Sequence, residues 1–407
     1  MTIYFDNSAT TPVRKEVADA MITFLSESFG NPSSIHCMGR DSFKAVAKAR
    51  QNVAKLLNCE PTEIYFTACG TNSNNSALLG RARFAEANNL GKHLITTVIE
   101  HPSVIGPAKY LEANGWKVTY LPVDKEGFVR EEDLKNAITN ETSIVSIMWA
   151  NNEIGTVEPI EELSNLVKAK SDEFNKEIFF HSDAIQAAGK VRIDTKKCPV
   201  SALSLSGHKF YAPKGVGVLY LRKGTNVMPL FFGGGQEKGI IPGTEGLTNI
   251  VAIGEASRLA HLELEQLESD LRQMQSFLME KLSGLKGIQI TGTKDLKKRL
   301  PGHVSVAVEN GEGEALVMQL DMQGICVSSE IETPIQTPAI SASSGLPANY
   351  HYSRRGQLSV QKLNAKTVSD ARVRASDEVL KAKQAMDQAK LQFADDVAEA
   401  KESAAEE

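Results

Sequence analysis

The sequence predicts an α/β protein with a mainly parallel sheet and a second, smaller α+β domain. Short apolar runs rich in β-branched residues alternate with helical patterns between about residues 40 and 220. Apolar strands separated by helices are typical of βαβ units, in which helices cover both faces of a parallel sheet. After residue 250 one long helical stretch leads into shorter elements, which predicts the smaller domain.

Seven strands and five helices are predicted for the first part of the chain. The strands cover residues 64–67, 94–99, 118–123, 144–149, 178–181, 202–205 and 216–221. The helices cover residues 41–57, 72–88, 104–114, 130–138 and 159–170. Ligands bind at the carboxyl ends of the strands in such sheets, so the residues that follow each strand are the first candidates for a site.

The remaining segments differ in character. A helix over 250–285, short strands at 288–290, 303–308 and 325–328 and a helix near 313–322 belong to the smaller domain. We assign residues 15–255 to the large domain and residues 1–14 with 256–329 to the small one. Residues 330–362 show no period and are predicted to be irregular or disordered. Residues 363–407 contain no Gly or Pro and many Ala, Lys and Glu, which favours a charged helical tail.

Composition excludes several classes of protein. The chain has 407 residues, of which 42% are hydrophobic and 23% charged, as in ordinary globular proteins. Its five cysteines form no CxxC pair, so neither a metal site nor a disulfide framework is predicted. The net charge of −5 argues against a nucleic-acid binder. Since no membrane span or targeting peptide is apparent, we predict a cytoplasmic protein without a membrane partner.

A lysine and an aspartate follow two of the predicted strands. Lys209 comes just after strand 202–205, and Asp183 comes just after strand 178–181. Enzymes that use pyridoxal 5'-phosphate (PLP) need such a pair. The lysine amine forms a Schiff base with the cofactor aldehyde, and the carboxylate keeps the pyridine nitrogen protonated. The pair predicts a PLP enzyme whose cofactor binds to the domain at 15–255.

Groups that follow other strands suit the same cofactor. Gly70 and Thr71 form the turn between strand 64–67 and the next helix, where free N–H groups and the helix dipole attract phosphate. His101 follows strand 94–99 and is suited to stack on the cofactor ring and to transfer protons. Each group alone is also explained as part of an ordinary turn. Their coincidence at successive strand ends favours a site.

Four further polar residues complete the predicted cofactor set. Asn152 follows strand 144–149, and Gln186 lies three residues after Asp183; both are candidates to contact the phenolic oxygen of the cofactor. Ser206 and His208 lie just before Lys209 in the same run and are candidates to donate to the phosphate.

Several motifs resemble those of cysteine desulfurases in the class V aminotransferase-like family. They are FDNSATTP at 5–12, GNPSSIH at 30–36, NNEIGT at 151–156, SGHK at 206–209, PKGVG at 213–217 and GGGQE at 233–237. The resemblance covers about residues 2–329. It implies the fold of type I PLP-dependent transferases, a homodimer with a site shared between subunits, L-cysteine as substrate, and a sulfur-acceptor or scaffold protein as a further partner.

The resemblance also implies residue roles. Lys209 matches the Schiff-base lysine, Asp183 the partner of the pyridine nitrogen, and His101 the stacking histidine. Phosphate ligands are matched by Thr71, Ser206 and His208, residues near the phenolic oxygen by Asn152 and Gln186, and a phosphate contact across the dimer by Thr244.

Two departures from the family pattern concern catalysis. In the family, a loop reading Gly-Ser-Ala-Cys follows the strand at 325–329, and its cysteine takes up sulfur as a persulfide. Here Thr333 occupies that position, and no cysteine follows Cys326, which we interpret as a core residue. The arginine that binds the substrate carboxylate has no clear counterpart, because nothing fixes the register of Arg354 and Arg355. The small domain is therefore predicted to be incomplete.

Three hypotheses follow from these sequence features. The first is a cysteine desulfurase-family enzyme, serving iron–sulfur cluster or thio-cofactor synthesis, whose persulfide step is impaired. The second is a C–S lyase-type PLP enzyme, because Lys209 and Asp183 suffice for that chemistry. The third is a non-catalytic dimerising or regulatory subunit, consistent with the altered loop and the helical tail.

Overall fold

All seven predicted strands are present in the structure, a computed structural model that describes residues 2–309 and 311–329. In chain order the strands and helices are β1 (Ile3–Tyr4), α1 (Lys15–Ser26), α2 (Cys37–Leu57), β2 (Ile64–Thr67), α3 (Gly70–Ala87), β3 (His93–Thr97), α4 (Pro102–Ala113), β4 (Lys117–Leu121), α5 (Glu131–Ala137), β5 (Thr142–Ser146), α6 (Ile160–Glu173), β6 (Phe179–Asp183), β7 (Ala202–Ser206), β8 (Gly217–Leu221), α7 (Leu247–Ser283), β9 (Ile288–Ile290), β10 (Val306–Val308), α8 (Gly313–Met322) and β11 (Ile325–Cys326). The predicted irregular segment 330–362, the predicted tail 363–407 and Thr333, Arg354 and Arg355 lie outside the described residues.

The large sheet is mainly parallel, as predicted. Its seven strands lie in the order β2-β8-β7-β6-β5-β3-β4. Strand β8 is antiparallel to both of its neighbours, and the other neighbouring pairs are parallel. The register of β6 and β7 pairs Asp183 with Ser204. The ends of these two strands therefore bring Asp183 close to the segment that carries Lys209.

Apolar side chains cover both faces of this sheet. Neighbouring residues of a strand point to opposite faces, and pairs such as Phe179 and Phe180 belong to two separate buried clusters. One cluster contains side chains of α3 and α4, and the other contains side chains of α2, α6 and α7. This arrangement explains why the strands are continuously apolar in sequence.

The segments outside the large sheet form two short sheets. β1 pairs in parallel with β11, with Ile3 opposite Ile325, and β9 pairs antiparallel with β10. Residues up to Val308 and from Gly313 group into one compact unit. The proposed boundary between a large and a small domain therefore stays a prediction. Within the described ranges, no helix is both long and apolar enough to cross a membrane.

A buried carboxyl group predicts how stability depends on pH. Glu158 is 3% exposed, its Oε2 accepts from the Val129 N–H at 3.1 Å, and burial raises its pKa to about 8. Between its ordinary value of 4.5 and about 8, the folded chain therefore holds a proton that the unfolded chain has lost. Stability falls as pH rises through this window. We expect Glu158→Gln to reduce that loss by a few kcal/mol, since one pKa unit is worth about 1.4 kcal/mol.

Urea unfolding midpoints at pH 5 and pH 8 would measure this effect. The exposed Glu161→Gln on α6 serves as the matched control and is expected to keep the wild-type pH dependence. If Glu158→Gln also kept the wild-type pH dependence of stability, the folded protein would not hold a proton on Glu158.

Candidate active site

Lys209 lies in a tight turn between β7 and β8. The turn is a 3-10 helix over Gly207–Lys209, and the Lys209 Nζ donates to the carbonyls of Ser8 and Ala9, at 2.8 Å in the second case. The Thr11 N–H donates to the His208 carbonyl at 2.8 Å. The amine therefore faces a segment near the N terminus that is itself fixed to the same turn.

Asp183 is a buried carboxylate at the end of β6. Its Oδ2 accepts from Asn74 Nδ2 at 2.7 Å and its Oδ1 from the Ile185 N–H at 3.0 Å. Burial raises the pKa of Asp183, while these hydrogen bonds and the nearby His101 and Lys209 act in the opposite direction. An ionised carboxylate in such surroundings is best stabilised by a cationic partner.

His101 joins Asp183 through a chain of hydrogen bonds. Asn74 Nδ2 also donates to Ser103 Oγ at 2.8 Å, and Ser103 Oγ lies 2.7 Å from His101 Nδ1. The Ser103 N–H donates to the same ring nitrogen at 3.1 Å. Nδ1 is therefore an acceptor, and the proton of the neutral ring is on Nε2. One ring nitrogen is fixed by the start of α4, and the proton is on the other.

Gly70 begins α3 where the helix approaches the strand ends closely. A Cβ at this position would come within 2.3 Å of Ile185 Cδ1 and 3.1 Å of Ser206 Cβ. Gly70 is itself buried, and its lack of a side chain allows the start of α3, with the N–H groups of its first turn, to pack closely beside the buried Ser206. Such groups bind anions such as phosphate.

Gly70→Ala is expected to destabilise the protein and weaken PLP binding, because the added methyl group overpacks this turn. Overpacking of this kind costs roughly 1–3 kcal/mol. Thermal melting and PLP titration would measure both effects. Gly106→Ala in α4 is the matched control, since no atom lies within 4 Å of a Cβ built there and Ala is the better helix former. Equal behaviour of the two variants would contradict the proposed close approach.

Gln186 and His208 face the same N-terminal segment as Lys209. Gln186 Nε2 donates to the Ser8 carbonyl at 2.9 Å, and His208 Nδ1 lies 3.2 Å from Thr10 Oγ1. Burial, together with nearby lysines, lowers the pKa of His208 to about 4. His208 is therefore a neutral ring at physiological pH.

The structure brings most of the predicted site residues together. The contacts above join Gly70, Ser206, Asp183, Gln186, His101, His208 and Lys209 at one edge of the sheet. Asn152 follows β5 and its carbonyl accepts from His303 Nε2 at 2.9 Å. Thr71 and Thr244 are exposed. Within the described part of the chain, no side-chain hydrogen bond joins Asn152, Thr71 or Thr244 to this group, so their predicted roles stay predictions.

Three further residues of this group were not predicted from the sequence, because none of them directly follows a strand. Asn74 and Ser103 lie inside helices, and Lys190 lies in the turns that follow β6. Asn74 follows Gly70 by four residues and Lys190 follows Gln186 by four, but this spacing identifies a site only once the helix and the turn are known to lie there.

One cysteine, Cys69, directly precedes Gly70 at the start of α3 and is partly buried. Burial raises the pKa of Cys59 and of Cys198 to about 12. Cys326 lies in β11, as predicted, but it is only partly buried, because the two-stranded sheet of β1 and β11 leaves its side chain accessible. Its Sγ is 3.9 Å from Asp321 Oδ1. The interpretation of Cys326 as a core residue was therefore wrong.

The group fits PLP. The buried Asp183 suits a protonated pyridine nitrogen, the turn at Gly70 suits a phosphate, and Lys209 provides an amine beside both. A mainly parallel sheet with this lysine and aspartate at its carboxyl edge defines a PLP-dependent protein of fold type I.

Residues 3–333 match the family described as Aminotransferase class-V, and the chain belongs to this family of PLP-dependent enzymes. It is 43% identical over 377 residues to "Cysteine desulfurase IscS" of Clostridium botulinum (strain Kyoto / Type A2), covering 90% of this chain and 91% of the relative. It is 44% identical over 329 residues to "Cysteine desulfurase NifS" of Azotobacter vinelandii, covering 80% and 79%. The Clostridium alignment thus extends past the region 2–329 that carries the motifs.

Solved structures agree with these relatives. The chain superimposes on a "NIFS-LIKE PROTEIN" with a TM-score of 0.77 and 41% identity, covering 81% of this chain and 88% of the other. It also superimposes on "SspA in complex with cysteine" with a TM-score of 0.67 and 32% identity, covering 80% and 89%. The predicted fold and cofactor class are therefore confirmed.

Proposed function

We propose that this protein binds PLP through Lys209 and acts on L-cysteine as a desulfurase-type enzyme. The reaction would convert L-cysteine to L-alanine and pass the sulfur to an acceptor or scaffold protein, for iron–sulfur cluster or thio-cofactor synthesis. The observation that carries the proposal is the convergence of Lys209, Asp183 and His101 at one edge of the sheet. Relatives described as cysteine desulfurases, and a similar structure described as a complex with cysteine, support the substrate.

Each residue of the group has a definite task in this proposal. PLP, when bound, supplies an electron sink for the carbanion formed at the substrate α-carbon. The carboxylate of Asp183 would keep the pyridine nitrogen protonated, and His101 would lie beside the ring and move a proton at Nε2. Lys209 would hold the cofactor through its aldehyde and transfer protons to and from the substrate.

The remaining residues would hold the cofactor. Gly70, Thr71, Ser206 and His208 would bind the phosphate, and Asn152 and Gln186 would donate to the phenolic oxygen. Thr244 would reach the phosphate of the second subunit in a homodimer.

We further propose that the sulfur-transfer step is impaired in this chain. A desulfurase needs a thiolate that attacks the substrate sulfur, and a threonine hydroxyl at 333 cannot carry a persulfide. The sequence has no cysteine after Cys326. Cys326 itself lies within the pair of β1 and β11, which does not favour the mobility that a sulfur carrier needs.

Incubation of the full chain with PLP and sulfur-labelled L-cysteine would test the proposal. We expect PLP binding with little or no protein-bound persulfide and slow alanine formation. Rapid alanine formation with label on the protein would refute the impairment, and Cys326→Ser would then establish whether Cys326 carries it. Failure to bind PLP would refute the proposed function as a whole.

The same assay distinguishes the alternatives. Pyruvate and sulfide in place of alanine would identify a C–S lyase, which the Lys209–Asp183 pair alone supports. PLP binding without any product, together with mixed dimers formed with an intact relative, would favour a regulatory subunit.

A further inference from the structure

We propose that Lys190 is a positioning residue, which determines which end of the Gln186 side-chain amide faces the cofactor. The inference rests on the proposed function, in which Gln186 donates to the phenolic oxygen of PLP. Lys190 Nζ donates to Gln186 Oε1 at 2.9 Å, and Gln186 Nε2 donates to the Ser8 carbonyl at 2.9 Å. The amide is thus held at both of its ends.

The hydrogen bonds at the two ends of the Gln186 amide each require the same orientation of the amide. An amide has an accepting oxygen and a donating NH₂ group of nearly equal size, so packing alone does not distinguish its two orientations. An ammonium group only donates, and it therefore requires Oε1 on its side. The Ser8 carbonyl only accepts and requires the NH₂ group on the other side, where Lys209 also binds to Ser8.

This orientation has a chemical consequence for the cofactor. The phenolic oxygen of PLP carries negative charge and needs a donor. With Lys190 in place, Gln186 presents its NH₂ group to the side of Lys209. A reversed amide would direct its carbonyl oxygen at that negative charge and its NH₂ group at the Lys190 ammonium, and both contacts would be repulsive.

The local backbone explains why Lys190 reaches Gln186. The Lys190 N–H donates to the Ala187 carbonyl at 3.0 Å, so the chain turns between the two residues. Gly189 has a φ of +74°, and a Cβ there would lie 2.8 Å from Phe210 Cβ. Only glycine fits this position without strain, and it directs the following lysine back over Gln186.

The charges around Lys190 also suit an anionic ligand. Burial, together with the charge of Lys209, lowers the pKa of Lys190 to about 7. Burial is the main cause that lowers the pKa of His208 and of His303, both to about 4, and the charge of Lys190 acts in the same direction. An anion bound among these groups would be stabilised by the lysine charges and would favour the ammonium form of Lys190.

A double-mutant cycle of Lys190→Met and Gln186→Leu would test the inference, with Lys190→Arg as the conservative variant. The readouts are the Kd of the apo-protein for PLP and the absorbance spectrum of bound PLP. We expect Lys190→Met to raise the Kd roughly tenfold and to alter the spectrum, because a charge-assisted hydrogen bond is lost. Lys190→Arg is expected to keep the Kd for PLP and the spectrum of bound PLP close to those of the wild type.

The cycle separates positioning from a direct contact or a general loss of stability. If Lys190 acts through Gln186, Lys190→Met adds no further loss in the Gln186→Leu background. Additive losses, an unchanged Kd and spectrum in Lys190→Met, or no rescue by Lys190→Arg would each overturn the inference. PLP binding without alanine formation would refute only the proposed reaction, because the Kd and the spectrum still report on Lys190.

Discussion

Replacement of Lys209 by alanine is expected to abolish covalent retention of PLP and all turnover of L-cysteine. The Lys209 amine lies beside the buried Asp183 and is directed towards the carbonyls of Ser8 and Ala9. Without it, PLP would be held only by hydrogen bonds and charge and would be lost on gel filtration. Borohydride reduction followed by peptide mass spectrometry would locate the attached cofactor in the wild type and in the variant.

Lys223→Ala provides the matched control for this experiment. Lys223 is exposed just after β8, on the same stretch of chain but away from the site. The control is expected to retain PLP on Lys209. Cofactor found on another lysine in the wild type, with Lys190 as the nearest candidate described above, would contradict the assignment of Lys209.

Asp183→Asn is expected to have the second largest effect. The carboxylate accepts from Asn74 at 2.7 Å and from the Ile185 N–H at 3.0 Å, so an asparagine amide can match only one of these two donors. An amide also leaves the pyridine nitrogen without an anionic partner. Removal of one partner from a buried ion pair costs roughly 3–5 kcal/mol, so we expect product formation to fall by about a hundredfold or more.

Rates of alanine and pyruvate formation, with the spectrum of bound PLP, would measure this loss. Asp172→Asn on the exposed side of α6 removes the same charge without touching the site and is expected to leave both unchanged. Near-normal rates in Asp183→Asn would mean that the pyridine nitrogen does not depend on this carboxylate.

The sheet could be predicted because its strands are buried on both faces. Apolar runs, such as residues 218–221 of β8, give a clear signal when helices precede and follow the sheet strands. The reversed direction of β8 was also readable. Only residues 207–216 join β7 to β8, and a parallel connection needs a crossover of about a dozen or more residues. Helix α1 was missed although Val17, Met21 and Phe24 have helical spacing and pack against the core, because exposed apolar residues such as Ile22 and Leu25 obscure this stripe in the sequence.

The site was predictable where chemistry coincides with a strand end. Lys209, Asp183 and His101 were found in this way, since parallel strands bring their carboxyl ends to one edge. Asn74 was not found, because its role depends on the direction of α3 across the sheet rather than on any local motif. The partner of Gln186 was equally hidden, since the i,i+4 spacing to Lys190 becomes informative only once a turn is known to lie there.

The pairing of β1 with β11 has a consequence for synthesis of the protein. Residues 8 and 9, whose carbonyls hold the Lys209 amine, lie only a few positions after β1, and β1 pairs with a strand more than three hundred residues later. Contacts of such long sequence separation form late in folding. A chain still attached to the ribosome therefore lacks this anchor until residue 326 has emerged, long after all seven strands of the large sheet have been synthesised.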